Sequence, residues 1–452
     1  MKKSTGFYIA LGTSLAFLVM GLVGLSFINQ NFVNQQLVIF NDPQGDELVG
    51  TYLPGTVEMG VLMLEGFGSD QIAMRPAASI FRTSGAHIFT FDFSGHGQSP
   101  GGLGFDNAAT DRLANQVLAA KDTFQKQSGL SDHQIILFGH SMGARVALQS
   151  AVYDPQPPAA LVLLGTQVNL EPNRQASFFT GTDDADLPWV QSLSTQNPKT
   201  HILLLSGSWD DILTPEAAQA LQNKLLSEPE PSESGYVRRL TIIPNLFHNY
   251  EIYSPRLLNQ AVTQLQELGV LDLQGPISLS NYFLFGALTL LGLLGSLTTL
   301  AIAWQGKHQT SSMITTSVKI TDVKKFLRSK MFLWLLALPV ALLLTGLFFL
   351  IPLHLPVLNM IYVGFIGGYG ILMLVLYRLG KVPGTQGKLA LQSTREPGTS
   401  FLKEDRFWIG LTLWVVILGV CILFTRSGLF YVIPANQRLI WLLIFSPFLS
   451  RT

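Results

Sequence analysis

Five residues set the chemistry to be tested: Gly139-His140-Ser141-Met142-Gly143. An apolar run, Ile135-Ile136-Leu137-Phe138, precedes them, and Ala144-Arg145-Val146-Ala147-Leu148 follows. That order predicts a strand, a sharp turn and a helix, with serine at the apex. Such a turn strains the backbone at the serine and needs small residues two positions to either side, where glycine stands. It exposes the Ser141 hydroxyl above a sheet and leaves the Met142 N–H at a helix N-terminus, where negative charge is favoured. A serine hydroxyl attacks a carbonyl only if a base takes its proton and an acid orients that base.

For such a serine the chain order is Ser, then Asp or Glu, then His. The apolar run His201–Leu205 leads into Ser206-Gly207-Ser208-Trp209-Asp210-Asp211-Ile212-Leu213-Thr214-Pro215. An acid just past a strand end is suitably placed, and two compete. Asp210 has the expected spacing from Gly207, and Asp211 fits the spacing to Pro215 about as well. Asp210 is the preferred acid, while an N-cap on the next helix is the plain structural alternative for either. His248, in the loop after Arg239–Ile243, is the one histidine after Asp210 in the acidic part of the chain and the candidate base. Oxyanion donors complete the set. Met142 N–H supplies one, and Phe67 N–H, in the glycine-rich loop Leu64-Glu65-Gly66-Phe67-Gly68-Ser69-Asp70, is the candidate for the other.

The positioning elements follow from the pattern between residues 35 and 275. Leu37–Phe40 and Leu48–Leu53 form a hairpin around Asp42-Pro43-Gln44-Gly45. Gly60–Leu64, His87–Phe91, Gln134–Phe138, Ala160–Leu164, His201–Leu205 and Arg239–Ile243 are short apolar or β-branched runs separated by helical patterns. Eight strands with mostly helical crossovers predict a doubly wound, mostly parallel α/β sheet.

These residues resemble the α/β-hydrolase superfamily, in particular its lysophospholipase, monoacylglycerol lipase and serine aminopeptidase (S33-like) branch. The resemblance covers about residues 35–270. It rests on Gly139–Gly143, Gly207 to Asp210, His248, and Asp92-Phe93-Ser94-Gly95-His96-Gly97-Gln98-Ser99. The last run looks like the D-x-R-G-x-G-x-S turn, with Ser94 where arginine is common; the resemblance gives it a shaping role and His96 no chemistry. Glu65 stands where relatives carry histidine, and a carboxylate there opposes anion stabilisation unless it points away or is paired. The resemblance implies a cap between strands, here a small lid at 166–199.

Composition divides the chain. Charged residues make up 13% and mean hydropathy is +0.34, against about 25% charged in ordinary soluble domains. The formal charge is zero, but residues 30–277 hold 25 acidic against 12 basic side chains, and the remainder 4 against 17. One cysteine, Cys421, excludes an intramolecular disulfide. Lys2 and Lys3 precede the apolar stretch Gly6–Ile28, which predicts an uncleaved signal anchor over residues 1–30 in preference to a cleaved signal peptide. Residues 31–275 form the hydrolase-like domain. Residues 276–452 predict about four full spans: Tyr282–Trp304, two within Met331–Tyr377 around Pro352, His354 and Pro356, and Phe407–Thr425. The short run Leu439–Leu449 lies at the interface or is a helix cut short, the second being expected.

Fourteen of the 17 basic residues outside the acidic domain lie in segments that share one side. The positive-inside rule then puts the N-terminus in the cytoplasm and the hydrolase-like domain outside, in the cell membrane. The expected function is hydrolysis of an ester, lipid-like or otherwise, a thioester or an amide through an acyl-enzyme. Peptidase activity is one alternative. A transporting, sensing or scaffolding membrane protein with a hydrolase-fold binding domain is another. The expected partners are a lipid bilayer and a small acyl substrate, with no cofactor, metal or nucleic acid.

Overall fold

A computed structural model describes residues 5–104, 107–166, 168, 170, 184–193, 198–227, 235–272, 282–308, 319–350, 369–370, 372–373 and 375–386. They fall into two compact units, one built on Val23–Gly286, the other taking in the described residues up to Leu22 and those from Ala287.

The first unit is built on eight strands: β1 (Gln36–Asn41), β2 (Glu47–Leu53), β3 (Gly60–Leu64), β4 (His87–Asp92), β5 (Ile135–His140), β6 (Ala160–Leu164), β7 (His201–Gly207) and β8 (Arg238–Ile243). Their order in the sheet is β1-β2-β4-β3-β5-β6-β7-β8. β1, β2 and β4 pair antiparallel, and every pairing from β4 to β8 is parallel. The hairpin falls where the sequence puts it: Asp42 Oδ1 accepts from the Gln44 and Asp46 N–H groups, and Gly45 takes the left-handed conformation, φ +90°.

The central strands are apolar throughout because both faces are covered, as parallel sheets require. Side chains alternate between faces with period two. Leu62 and Leu64 of β3, Leu137 of β5 and Leu161 and Leu163 of β6 join one core with helices α3 (Asn107–Ser128) and α4 (Met142–Tyr153). Val61, Met63, Ile136, Phe138, Val162 and Leu164 join the other, with α2 (Arg75–Thr83) and α7 (Pro255–Glu267). The short helix α5 (Pro188–Ser192) lies in the stretch expected to form a lid and buries Trp189 and Val190 in the first core; residues 167, 169, 171–183 and 194–197 of that stretch lie outside the described residues. Helix α6 (Pro215–Leu226) is capped by Thr214, whose hydroxyl accepts from Ala217 N–H.

Among the described residues, long helices flank the sheet-forming part of the sequence: α1 (Thr5–Asn29), α8 (Tyr282–His308) and α9 (Val323–Leu350). Among the described residues only one helical stretch, Thr5–Ile28 in α1, is long and apolar enough to cross a bilayer, with mean hydropathy 2.1. A signal sequence has the same character. In α8 the apolar stretch Leu284–Leu300 is shorter. The turn expected at Pro352–Pro356, the span expected at Phe407–Thr425 and the short run Leu439–Leu449 lie outside the described residues.

Candidate active site

Ser141 sits between β5 and α4 with φ 56° and ψ −116°, a conformation that L-residues avoid. The flanking glycines have steric reasons. A Cβ on Gly139 would lie 2.6 Å from the Ala144 nitrogen, and one on Gly143 would lie 2.4 Å from the Leu64 carbonyl oxygen. The end of β3 is thus pressed onto the first turn of α4. It brings the glycine-rich loop to the serine: a Cβ on Gly66 would lie 3.4 Å from Ser141 Cβ. Phe67 and Met142 therefore occupy adjoining segments at this turn.

The β7 turn delivers the acid. Asp210 is buried and its Oδ1 accepts from Ile212 N–H (3.0 Å) and Leu213 N–H (2.7 Å). Asp210 Oδ2 lies 2.8 Å from His248 Nδ1. Asp211 is exposed, so of the two competing acids the structure joins Asp210 to His248. The β8 loop that carries His248 is tied to the same turn: Ser208 N–H donates to Ile243 O (2.8 Å) and Trp209 N–H to Leu246 O (3.0 Å).

His248 also stacks on the residue before the serine. The His140 and His248 rings are 4.8 Å apart, tilted by 31°, and His140 Nε2 lies 3.1 Å from the His248 carbonyl oxygen. Burial, then the neighbouring His248, hold the His140 pKa down to about 3. His140 is therefore neutral, with its proton on Nε2 donating to that carbonyl.

Sequence reasoning missed Glu251. It is fully buried in the 3-10 turn His248–Tyr253, three residues beyond His248. Its Oε1 accepts from Gly207 N–H at 2.7 Å, and its Oε2 lies 3.6 Å from His140 Nε2 and 3.8 Å from His248 Nδ1. His140, His248 and Glu251 bring ligand atoms within 4.8 Å of one another. Both nitrogens already serve other hydrogen bonds, to the His248 carbonyl and to Asp210, so this group is not built around an ion. The only sequence signal for Glu251 is its i+3 spacing from the histidine.

Glu65 is paired. Its Oε1 lies 2.8 Å from His96 Nδ1 and accepts from Phe93 N–H at 3.2 Å. Gly68 N–H donates to His96 Nε2 at 3.4 Å, which leaves the ring proton on Nδ1, directed at Glu65. His96, given no chemistry by the sequence resemblance, ties the glycine-rich loop to Glu65. Burial, then Asp70, raise the Glu65 pKa well above its ordinary 4.5. A raised folded-state pKa gives stability that is fully present below the unfolded value and lost as pH rises through the folded one. Glu65→Gln keeps the accepting oxygen without the titration. The wild type is expected to lose melting temperature relative to Glu65→Gln as pH rises above the ordinary glutamate value of 4.5, the two converging below it. Parallel melting curves across that range would instead show that Glu65 carries no such linkage.

Residues 56–183 match the family described as serine aminopeptidase, S33. An uncharacterized protein of Mycobacterium tuberculosis strain H37Rv is 26% identical over 250 residues, 52% of this chain and 80% of that one. A Mycoplasma genitalium protein named provisionally as esterase/lipase 2 is 32% identical over 118 residues, 26% of this chain and 39% of that one. Among solved structures, an esterase of Pyrococcus furiosus is similar over 53% of this chain and 92% of its own, at 17% identity and a TM-score of 0.43. The family match, over residues 56–183, falls within the domain on the eight-stranded sheet and makes that stretch similar to hydrolases.

Proposed function

We propose that residues 31–275 are a serine hydrolase acting on carboxylic esters, held at a membrane by the N-terminal helix. The observation that carries this reading is the 2.8 Å contact between His248 Nδ1 and Asp210 Oδ2, beside a strained serine whose preceding residue stacks on that histidine. Ser141 Oγ attacks the ester carbonyl while His248 Nε2 takes its proton. The carbonyl π electrons move to oxygen, and the Met142 and Phe67 N–H groups hold that oxyanion. As the intermediate collapses, the C–O bond to the leaving alcohol breaks and His248 returns the proton to it. Water, deprotonated by His248, then attacks the acyl-serine; the serine leaves with the proton, and the free acid forms. Asp210 accepts the Nδ1–H bond throughout and stabilises the imidazolium.

Exposed aromatic side chains favour an acyl-chain substrate over an aminoacyl amide. Trp209 is 51% exposed and Phe247 48%, their rings are 5.2 Å apart, and each directly precedes a triad residue. A buried methylene contributes about 0.8 kcal/mol. Trp209→Ala is expected to lower kcat/KM for a decanoyl ester about tenfold, and for an acetyl ester less than about twofold. Equal losses on both esters would argue against an acyl-binding surface here.

A fluorophosphonate probe tests the chemistry. It should label the wild type and neither Ser141→Ala nor His248→Ala. A folded wild type that does not label leaves the domain a binding module. Aminoacyl amides hydrolysed in preference to acyl esters select the peptidase reading. The multi-span C-terminal region and the extracytoplasmic placement belong to the same proposal; the spans rest on apolar runs and the placement on loop charge. A cysteine at exposed Ser227, with Cys421→Ser, should react with an impermeant maleimide on intact cells. Reaction only after the membrane is opened contradicts the placement.

A further inference from the structure

We propose that Glu251 is a reserve acid for His248, a positioning residue that takes over the electrostatic part of Asp210's role when Asp210 is neutral. The proposal rests on the triad reading above. Glu251 is fully buried, and its Oε1 is pinned by Gly207 N–H at 2.7 Å, on the turn that leads to Asp210. Its Oε2 has no hydrogen-bond partner and lies 3.8 Å from His248 Nδ1. A buried carboxyl oxygen left without a partner needs an explanation. The space is specific, because a Cβ on Gly165, which has φ +48°, would lie 2.2 Å from this oxygen.

The titratable groups facing Glu251 are Asp210 from the β7 turn, His140 from β5 and His248 from its own turn. From the opposite side, α2 and α7 contribute Ala78, Phe81, Leu257 and Leu258 to an apolar cluster with Ile252. Two carboxylates this near one imidazole do not both ionise readily in a buried site. Burial, then Asp210, raise the Glu251 pKa well above 4.5. Asp210 beside it thus favours the neutral form of Glu251. Asp210→Asn removes the repulsion, and the imidazolium formed during reaction then favours an anion at Oε2. Only charge stabilisation is taken over, since the Nδ1–H bond to Asp210 is lost.

The test is a double-mutant cycle on the full chain, read as kcat/KM against pH. In an enzyme without a second acid, Asp→Asn in the triad lowers kcat by about 10⁴. Here Asp210→Asn alone is expected to lose about 10² and Asp210→Asn with Glu251→Gln about 10⁴, while Glu251→Gln alone loses less than Asp210→Asn. The acid limb for Asp210→Asn should be steeper than that of wild type and of the double variant, because Glu251 must then be ionised as well. The comparison of Asp210→Asn with wild type still decides the matter should Glu251→Gln not fold. Equal rates for the single and double Asp210 variants, or an acid limb no steeper in Asp210→Asn than in wild type, overturn the proposal. Loss of as much activity in Glu251→Gln as in Asp210→Asn also overturns it. Retained activity in Ser141→Ala sinks the triad reading instead, so the two failures are distinguishable.

Discussion

Replacing Ser141 by alanine is expected to reduce ester hydrolysis on the order of 10⁶-fold and to abolish fluorophosphonate labelling, with the fold intact. The magnitude follows from removing the nucleophile of a unit whose members act together, after which binding and oxyanion donors retain only a residual rate. Stability should separate from activity here. Ser141 holds φ 56° and ψ −116°, and sparsely populated backbone regions of this kind cost about 1–3 kcal/mol. Glycine adopts that region freely but loses about 0.5–1 kcal/mol more in unfolded-chain entropy. Ser141→Gly should therefore be catalytically dead yet more stable than Ser141→Ala by about 1 kcal/mol, measured by urea denaturation. Measurable turnover in either variant would remove Ser141 from the reaction.

The sheet was legible in the sequence because its signals are local. Each of the eight strands is a short apolar run closed by turn residues, and all eight lie where those runs fall. The hairpin carries its own Asp42 and Gly45 turn chemistry. The serine turn was legible for the same reason: five consecutive residues encode it. Asp210 was separable from Asp211 only through its spacing from Gly207, and the structure puts Asp210 against His248 and leaves Asp211 exposed.

Long-range pairings were not legible. Glu65 meets His96 across 31 positions, Gly207 meets Glu251 across 44, and His140 meets the His248 carbonyl across 108. No local pattern announces such pairs, since each depends on where two strand ends finish in the assembled sheet. For Glu65 the sequence raised the right question, the fate of a carboxylate near an oxyanion, and the structure answers it with His96. The position of β3 between β4 and β5 has the same character. Apolar runs report that a strand is buried and leave its neighbours open.

That central position of β3 makes Gly143 the second residue whose loss should be severe. A Cβ there would lie 2.4 Å from Leu64 O and 2.5 Å from Glu65 O. These are backbone atoms at the end of a strand paired on both sides, so they cannot retreat as a flexible side chain would. The start of α4 must lift instead, carrying Met142 N–H and Ser141 with it. Overpacking of this kind destabilises by about 1–3 kcal/mol, and a misplacement of about 1 Å at reacting groups lowers rates about 10²-fold. Gly143→Ala is expected to unfold at lower urea by about 3 kcal/mol and to label with a fluorophosphonate about 10²-fold more slowly. Gly102→Ala is the control, because a Cβ on Gly102 meets nothing within 4 Å. It should match wild type in both measurements. If Gly143→Ala does so too, the contact between β3 and α4 does not hold the serine turn in place.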